Sequence, residues 1–521
     1  MFDHVIVGAG SAGCVLAARL SEDPGARVLL LEAGGADDRR EIRVPVAFSK
    51  LFGSDCDWNY HTVPQARLDG RRLYWPRGRV LGGSSSINAM MWVRGVADDY
   101  DAWERSGAEG WNYADAVRYF SRIEDAQRRD PAHQGRGGPL RIAEQRDPNP
   151  GTALFVAACV NSGIPRNPNA NAGDNEGVDY TVVSQRRGAR WSTADAYLRP
   201  ALRRPNLTVE TGSHVTGVTI SGGRAVGVSY RRDGAAHTAR ARREVVLAGG
   251  AVNSPQLLLL SGVGPADELR ALGITPVVDL PGVGRNLQDH LAVGVVAATT
   301  RRDTLLAAEQ PAQVARYLLA RRGMLTSNVA EAHAFVRSSP QVRHPDLELL
   351  FAPVPFVDHG RGRPPGHGYT LGAILLQPAS RGTVRLASSD PLAPPLIDPA
   401  YLAEPDDLRV LVTGMRRALA VLDTPPLAGV VSGLMKPEAR PGSDDELAAA
   451  VRAGAETLYH PVGTCRMGVD AMAVVDPQLR VRGVAGLRVA DASVMPSLIR
   501  GHTNAPAVMI GEKAADLLRA A

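Results

Sequence analysis

Lysine and aromatic residues are scarce in this chain of 521 residues, and its positive charge is spread thinly. Only three of the 59 basic residues are lysines (Lys50, Lys436 and Lys513), and aromatic residues make up 5%. The formal net charge is +5, yet the longest basic runs are pairs such as Arg71–Arg72. Nucleic-acid-binding surfaces normally need a concentrated basic patch. The diffuse arginine excess therefore predicts no nucleic-acid partner.

Cysteine is equally rare. The chain has four cysteines without a close pair: Cys14, Cys56, Cys159 and Cys465. This spacing indicates neither a disulfide framework nor a zinc site, so we predict no metal centre and a reducing compartment.

Long apolar runs are also missing. The chain begins Met-Phe-Asp-His and enters an apolar strand directly, without the basic and apolar regions of a secretory signal. No apolar run approaches the ~18 residues that span a bilayer. The longest candidate, residues 245–260, is interrupted by glycine, asparagine and proline. We therefore expect a cytoplasmic protein without a membrane span.

A strand, a helix and a second strand are predicted at the start of the chain. Residues 4–7 and 28–31 are short apolar runs typical of buried parallel strands, and residues 11–21 favour a helix. The segment Gly8-Ala9-Gly10-Ser11-Ala12-Gly13 links the first strand to the helix. Its glycines allow a tight turn and close backbone approach, while the helix N-terminus attracts phosphate. This arrangement predicts dinucleotide binding.

Glu32 ends the second strand, at the interval after the glycines that is typical of the acidic residue in dinucleotide-binding motifs. A carboxylate at this position can accept hydrogen bonds from ribose hydroxyls. With 54 glycines in the chain, the three-glycine pattern is weak evidence by itself, and the predicted strand–helix–strand context carries the interpretation. The motif does not distinguish NAD from FAD.

A second glycine- and serine-rich loop runs from Gly78 to Asn88. On composition it could be a flexible surface loop or a backbone-lined binding loop. However, residues 78–101 resemble the first signature of the glucose–methanol–choline (GMC) oxidoreductase family, and residues 250–264 resemble its second. The segment Leu280–His290 extends the resemblance, which covers essentially the whole chain and is nearest in character to bacterial choline-dehydrogenase-like members.

The resemblance implies FAD as the cofactor. Family members that attach FAD covalently use a histidine directly before the asparagine of the second loop, whereas this chain has Ile87, so we expect non-covalent FAD. Asp491 resembles a residue that binds the ribityl or phosphate part, and Val215 would lie at the adenine edge. The implied FAD-binding residues are Gly8, Gly10, Ser11, Gly13, Glu32, Ala33, Val80, Gly83, Ser84, Asn88, Ala89, Met90, Met91, Val215, Asp491 and Ala492.

The resemblance also implies the catalytic pair, His460 and Asn504. Ser443 and Glu446 have capping-box spacing, which predicts a helix that ends near residues 459–461 and presents His460 on the following loop. An imidazole suits removal of a hydroxyl proton near neutral pH. Asn504 would hold the substrate oxygen, or would only cap the last helix with Pro506 in its first turn.

Three other residues are candidates for the site. His502 could replace His460 as the base, but it is off the family position and fits a structural or cofactor-proximal role. Cys465 could form a nucleophilic pair with His460, although side chains that close in sequence need not meet beyond a helix end. Glu331 could face a cationic substrate such as choline, but a lone glutamate is more often solvated.

These observations predict an α/β fold with a Rossmann-like FAD-binding domain and an inserted α+β substrate domain that contains an antiparallel sheet. We assign residues 1–145, 192–290 and 457–521 to the FAD-binding domain, and residues 146–191 and 291–456 to the substrate domain.

The expected reaction is oxidation of a small-molecule alcohol, primary in the simplest case, to the aldehyde by hydride transfer to the flavin. Oxygen, a quinone or another carrier would be the electron acceptor, and the protein would be a monomer or homodimer. A lyase on the same fold, oxidation of choline or a sugar, a nicotinamide-dependent dehydrogenase and a non-enzymatic flavin-binding module are the alternatives.

Overall fold

The computed structural model describes residues 1–127, 133–362 and 365–520. The strands are β1 (Phe2–Val7), β2 (Val28–Leu31), β3 (Tyr60–His61), β4 (Tyr74–Trp75), β5 (Glu124–Ala126), β6 (Leu140–Ile142), β7 (Gly177–Tyr180), β8 (Gln185–Arg186), β9 (Ala189–Arg190), β10 (Leu207–Glu210), β11 (His214–Ser221), β12 (Arg224–Arg232), β13 (Ala235–Leu247), β14 (Val263–Gly264), β15 (Val278–Asp279), β16 (Leu291–Thr299), β17 (Ala332–Val336), β18 (Leu347–Ala352), β19 (Gly368–Leu375), β20 (Thr383–Arg385), β21 (Leu396–Asp398), β22 (Val431–Lys436), β23 (Ala455–Thr457) and β24 (Leu487–Val489). The α-helices are α1 (Ser11–Leu20), α2 (Arg40–Arg43), α3 (Ala97–Arg105), α4 (Tyr113–Ile123), α5 (Pro150–Asn161), α6 (Arg199–Ala201), α7 (Gly250–Leu260), α8 (Ala266–Ala271), α9 (Pro311–Ala320), α10 (Pro405–Leu422), α11 (Asp444–Gly454) and α12 (Asn504–Arg519). Short 3₁₀ segments include Pro45–Leu51, Gly83–Ser86, Met324–Thr326 and Ala492–Val494, and Ala194–Leu198 forms a π-helical turn.

The first sheet has the strand order β10-β2-β1-β13-β12-β11, with β24 paired to β13. Strands β10, β2, β1, β24 and the end of β13 are parallel, and β2 is fully buried because its residues are all apolar. The earlier part of β13 forms an antiparallel ladder with β12, and β12 pairs in turn with β11. The carboxyl ends of the parallel strands therefore meet at one edge of the sheet.

Two helices from opposite ends of the sequence pack beside this sheet. Helix α12 lies against α1, and a Cβ atom on Gly511 would stand only 3.0 Å from Cα of Ala12. The buried Glu512 accepts hydrogen bonds from Arg19 at 2.8 Å and from the Tyr197 hydroxyl at 2.7 Å. The unit formed by β1, α1 and β2, called the dinucleotide-type unit below, thus packs against the last helix of the chain.

The second sheet is antiparallel, with the order β17-β18-β19-β16-β22 and with β23 also paired to β16. Helices α5, α10 and α11 contribute to its hydrophobic core. The predicted α/β class with an added antiparallel sheet is confirmed. The domain boundaries at residues 145/146, 191/192, 290/291 and 456/457 stay a prediction.

Two local predictions were wrong. Helix α11 has the expected capping box between Ser443 and Glu446, but it ends at Gly454 because β23 then pairs with β16. Thr503 is the N-cap of α12, and Asn504 is already the first helical residue.

Within the described ranges, no helix combines the length and apolar character needed to cross a membrane.

Candidate active site

A cavity of about 400 Å³ lies between the edge of the first sheet and one face of the second. Most residues expected at the site line this cavity: Gly8, Gly10, Ser11, Glu32, Ala33, Gly83, Ser84, Asn88, Ala89, Met90, Met91, Val215, His460, Asp491, Ala492 and Asn504. Gly13 and Val80 are not in the lining. Gly13 packs so closely that a Cβ atom would stand 1.9 Å from the Gly8 carbonyl oxygen, and Val80 is completely buried in a neighbouring apolar cluster.

The two glycine loops touch each other at the start of α1. Gly8 has a φ of +99°, and a Cβ atom on Gly83 would stand 2.6 Å from Cα of Gly10. The first N–H groups of α1 have no partner within the helix and carry the positive end of its dipole. A backbone-lined cradle of this kind, with a helix N-terminus beside it, fits the pyrophosphate of FAD.

Glu32 is held by the backbone beside this cradle. Its carboxylate accepts hydrogen bonds from the Ala9 N–H at 2.9 Å and the Gly34 N–H at 2.8 Å. Burial raises the pKa of Glu32 to about 7, although both hydrogen bonds and Arg79 act in the opposite direction. The carboxylate is thus fixed at the cavity wall, where ribose hydroxyls of FAD could donate to it.

Asp491 links the end of β24 to the beginning of α7. Its carboxylate accepts from the Gly250 N–H at 2.8 Å, the Ser254 hydroxyl at 2.6 Å and the Ser493 N–H at 2.8 Å. Burial raises the pKa of this carboxyl group, and these hydrogen bonds oppose the rise. Asp491 therefore fixes two cavity-lining turns in addition to facing the cavity itself.

The loop after the second glycine motif is fixed by a residue that sequence reasoning missed. The buried Arg190 donates to the side-chain oxygen of Asn88 at 2.8 Å and to the backbone oxygens of Ser85 and Ile42. Asn88 also accepts from the N–H of Met90, which has a φ of +59°. A single arginine so distant in the sequence has no signal that would indicate this role.

His460 is hydrogen-bonded to a second histidine. Its Nδ1 lies 2.8 Å from Nδ1 of His290, and Nε2 of His290 lies 3.1 Å from the carbonyl oxygen of Leu376. Because a carbonyl oxygen only accepts, Nε2 of a neutral His290 donates and its Nδ1 accepts. Nδ1 of His460 then carries the proton, which leaves Nε2 of His460 as an unprotonated, basic atom.

Burial supports the neutral state of both rings. It lowers the pKa of His290 to about 4, and it lowers the pKa of His460 well below the usual value, with further lowering by His502, His290 and Arg77. An imidazole that stays neutral at physiological pH can accept a proton throughout the working range.

Asp289 fixes the loop that carries His460. Its carboxylate accepts from the His460 N–H at 2.6 Å, from the Thr457 hydroxyl at 2.6 Å and from the hydroxyl of Tyr401. Tyr459 adopts a φ of +69°, a left-handed conformation that is uncommon for a non-glycine residue. Asp289 and His290 belong to the segment 280–290 that carried the family resemblance, but their role depends on contacts formed only in the fold.

Asn504 approaches the cavity from the first turn of α12. Its side-chain oxygen accepts a hydrogen bond of 2.8 Å from the Ser11 hydroxyl, so its amide nitrogen is the atom left to donate. The helix N-terminus adds a positive electrostatic potential at the same place.

His502 lies edge-on to His460, with ring centroids 4.8 Å apart. Its Nε2 is 3.1 Å from the buried carboxylate of Glu348, which also contacts Nδ1 of His333 at 3.2 Å. Burial would raise the pKa of Glu348, but its electrostatic interactions and hydrogen bonds with these histidines lower it below its usual range. The three side chains are of types and spacing that could hold a metal ion. Their hydrogen bonds already account for the spacing, so we assign no metal here.

The two remaining alternatives have other surroundings. Cys465 is fully buried outside the cavity lining, and burial raises the pKa of its thiol well above the usual value. Glu331 is not solvated: it is fully buried and accepts from the Asn149 N–H and from the hydroxyls of Thr152 and Ser327. Glu331 therefore links the start of α5 to the loop at Ser327, and it does not line the cavity.

Comparisons with known proteins identify the family of this chain. Family models described as GMC oxidoreductase match residues 2–292 and 378–511. An alcohol dehydrogenase (acceptor) of Pseudomonas putida is 45% identical over 99% of this chain and 96% of its own. The mitochondrial choline dehydrogenase of Homo sapiens is 44% identical over 99% and 90% of the two chains. The crystal structure of pyridoxine 4-oxidase from Mesorbium loti is 34% identical, with a TM-score of 0.91 over 99% of both chains. The chain therefore belongs to the GMC oxidoreductase family of FAD-dependent enzymes that act on CH–OH groups.

Proposed function

We propose that this protein oxidises a primary alcohol to the aldehyde, with His460 as the base and Asn504 as the residue that holds the substrate oxygen. The hydrogen bond between Nδ1 of His460 and Nδ1 of His290 carries this proposal, because it leaves Nε2 of His460 free of a proton. That atom and the amide of Asn504 belong to residues that line the same cavity.

The cofactor would be held by the residues that form the cradle. The N–H groups at the start of α1 would bind the pyrophosphate, Glu32 would bind the adenosine ribose, and the loop from Asn88 to Met91 would lie along the flavin. Ile87 lines the cavity without offering a nucleophile for covalent attachment. When bound, FAD supplies the acceptor for the two electrons and the hydrogen that leave the substrate carbon.

The protein's own residues would manage the hydroxyl proton. Nε2 of His460 accepts it while the amide of Asn504 donates to the same oxygen and fixes its position. As His460 becomes positively charged, its Nδ1–H bond to His290 strengthens, because a charged donor forms a stronger hydrogen bond. A separate acceptor (oxygen, a quinone or another carrier) then takes the electrons.

The test is anaerobic bleaching of the yellow enzyme by alcohols. His460→Ala should retain FAD but lose substrate-dependent bleaching, because the base is gone. His237→Ala, which changes an exposed histidine on β13, is the matched control and should bleach like the wild type. Unchanged bleaching in His460→Ala would refute the assignment of the base. A wild-type enzyme that converts its substrate without any bleaching would indicate a lyase instead.

A further inference from the structure

One face of the antiparallel sheet forms the floor of the cavity. Three strands supply its central lining residues: Ala292, Gly294 and Val296 from β16, Leu350 and Ala352 from β18, and Thr370, Gly372 and Ile374 from β19. These residues alternate along each strand, as residues on one face must. None of them is charged, and the Thr370 hydroxyl is already bonded to the Val354 carbonyl oxygen at 2.8 Å. The centre of the floor is therefore apolar, whereas Lys436 of β22 and Glu456 of β23 line its edge, opposite Val296 and Ala292.

Two directly paired glycines lie at the centre of this floor. Gly294 of β16 is opposite Gly372 of β19. A Cβ atom on Gly294 would meet its nearest neighbour, a methyl carbon of Thr370, at 3.8 Å, and one on Gly372 would meet Cβ of Leu350 at 3.9 Å. These are ordinary contact distances, and neither glycine has a positive φ. The fold would accept a side chain at both positions.

Glycine inside a strand normally weakens it, and often marks a place where a ligand comes close. Here neither backbone conformation nor packing requires glycine. The pair therefore has one clear effect, which is to leave a groove in the cavity floor.

The groove has a defined position relative to the catalytic histidines. The row of Glu348, Ile374 and Ala292 lies at one side of it, and Glu348 bonds to His502, which contacts His460. The glycine row is two residues further along the strands, roughly 7 Å away at the usual rise per residue. A substrate with its hydroxyl at His460 would thus need a chain of several atoms to reach the groove.

Aromatic side chains continue the apolar lining. Phe48, Phe52 and Phe356 line the cavity, and they belong to the same apolar cluster as Ala352 of the floor. The ring centroids of Phe48 and Phe356 are 6.2 Å apart, and those of Phe48 and Phe52 are 5.8 Å apart. Such surroundings favour an alkyl or aryl group over a polar one.

One carboxylate oxygen in the described cavity lining, Oε2 of Glu456, is buried without a hydrogen-bond partner. The acidic residues in the lining are Glu32, Asp358, Glu456 and Asp491. Glu32 and Asp491 bond to backbone amides, and Asp358 pairs with Arg361. Arg71 pairs only with Oε1 of Glu456. Glu348 on the floor face is fully buried behind His333 and His502.

We propose that Gly294 and Gly372 form a substrate groove for the apolar body of a primary alcohol, and that these two positions set how large that body can be. This inference rests on the proposed alcohol oxidation and adds the class of substrate. An extended alkyl or aryl-alkyl alcohol would place its chain across the glycine pair.

The experiment compares anaerobic flavin reduction by ethanol, 1-octanol and choline. The variants are Gly294→Ala, Gly372→Ala and the double variant, which add methyl groups to the groove. Wild type should prefer 1-octanol. The double variant should lose about tenfold or more in kcat/KM for 1-octanol, mainly through KM, since one methylene in an apolar pocket is worth about 10- to 200-fold. Ethanol does not reach the groove, so its reduction rate should stay within about twofold of the wild-type rate.

Gly217→Ala is the matched control. Gly217 also lies in a strand and has room for a Cβ atom, with Ser261 Oγ at 3.7 Å, but it does not line the cavity. This variant should change the rate of flavin reduction by neither 1-octanol nor ethanol. The melting temperatures of all variants should equal or exceed that of the wild type, because alanine is favoured over glycine in a strand.

Two results would overturn the groove: an unchanged preference for 1-octanol over ethanol in the double variant, or a wild-type preference for choline. If the double variant loses FAD, the ratio of kcat/KM for 1-octanol to that for ethanol in the two single variants tests the groove instead. A wild type that no alcohol reduces would instead refute the proposed function.

Discussion

Replacing His290 with leucine should slow flavin reduction without removing FAD. Leucine fills much of the space but cannot accept the proton on Nδ1 of His460, so the tautomer with a basic Nε2 is no longer favoured. An unsatisfied buried hydrogen-bonding group costs about 1–3 kcal/mol. If this cost falls on the reactive tautomer, the rate should drop about 5- to 150-fold, at about 1.4 kcal/mol per factor of ten.

The assay is anaerobic stopped-flow reduction with saturating alcohol, together with FAD content from the absorbance spectrum. His290→Gln is the matched variant, because its side-chain oxygen can accept from His460 and should restore most of the rate. The reasoning would be refuted if His290→Leu held FAD and reacted within about twofold of the wild-type rate. A loss of rate that glutamine does not restore would also count against the tautomer argument.

Three further predictions concern pH and the cofactor. Burial holds the pKa of His460 well below the usual value, so the imidazole is an unprotonated base at neutral pH. We therefore expect kcat/KM to be level from about pH 7 to 9 and to fall only below the ordinary histidine pKa of about 6.5. An inflection above pH 7 in stopped-flow measurements would contradict this expectation. The Glu32→Ala variant leaves the Ala9 and Gly34 amides without their acceptor, so it should bind FAD about tenfold or more weakly. Fluorescence titration measures this affinity, and an affinity equal to that of the wild type would be the contrary result. Burial lowers the pKa of His290 and of His359 to about 4, so below about pH 6.5 the unfolded chain binds more protons than the folded chain. Each of these two histidines should therefore lower the free energy of unfolding by up to about 3 kcal/mol as the pH falls from 6.5 to 4. Equal urea midpoints at pH 7.5 and pH 5 would be inconsistent with this expectation.

The dinucleotide-type unit could be predicted because its signals are local. Strand β1, helix α1 and strand β2 follow one another directly along the chain, and each has a periodicity or glycine pattern of its own. The end of α11 could not be predicted in this way. It is set by pairing of residues 455–457 with β16, a strand that lies much earlier in the sequence.

In the candidate site as well, features with a local sequence signal could be predicted and features that depend on tertiary contacts could not. His460 and Asn504 were expected from motifs, but the tautomer of His460 depends on His290 and Leu376, which join it only through the tertiary fold. Glu331 shows the opposite case: a solitary glutamate in a loop gives no sign that the start of α5 will bury it. Nor does the sequence indicate that Gly294 and Gly372 are partners, because these positions are distant along the chain and only sheet register brings them together.

The packing of α12 on α1 has a consequence for how the protein is made. The hydroxyl of Ser11 meets Asn504, the side chain of Arg19 meets Glu512, and β13 gains its neighbour β24 only near residue 487. A nascent chain still attached to the ribosome therefore lacks one wall of the cofactor cradle until almost all of the polypeptide has been synthesised. Enclosure of FAD must be a late event in biogenesis, and until then the apolar faces of α1 and of the parallel strands depend on temporary protection from aggregation.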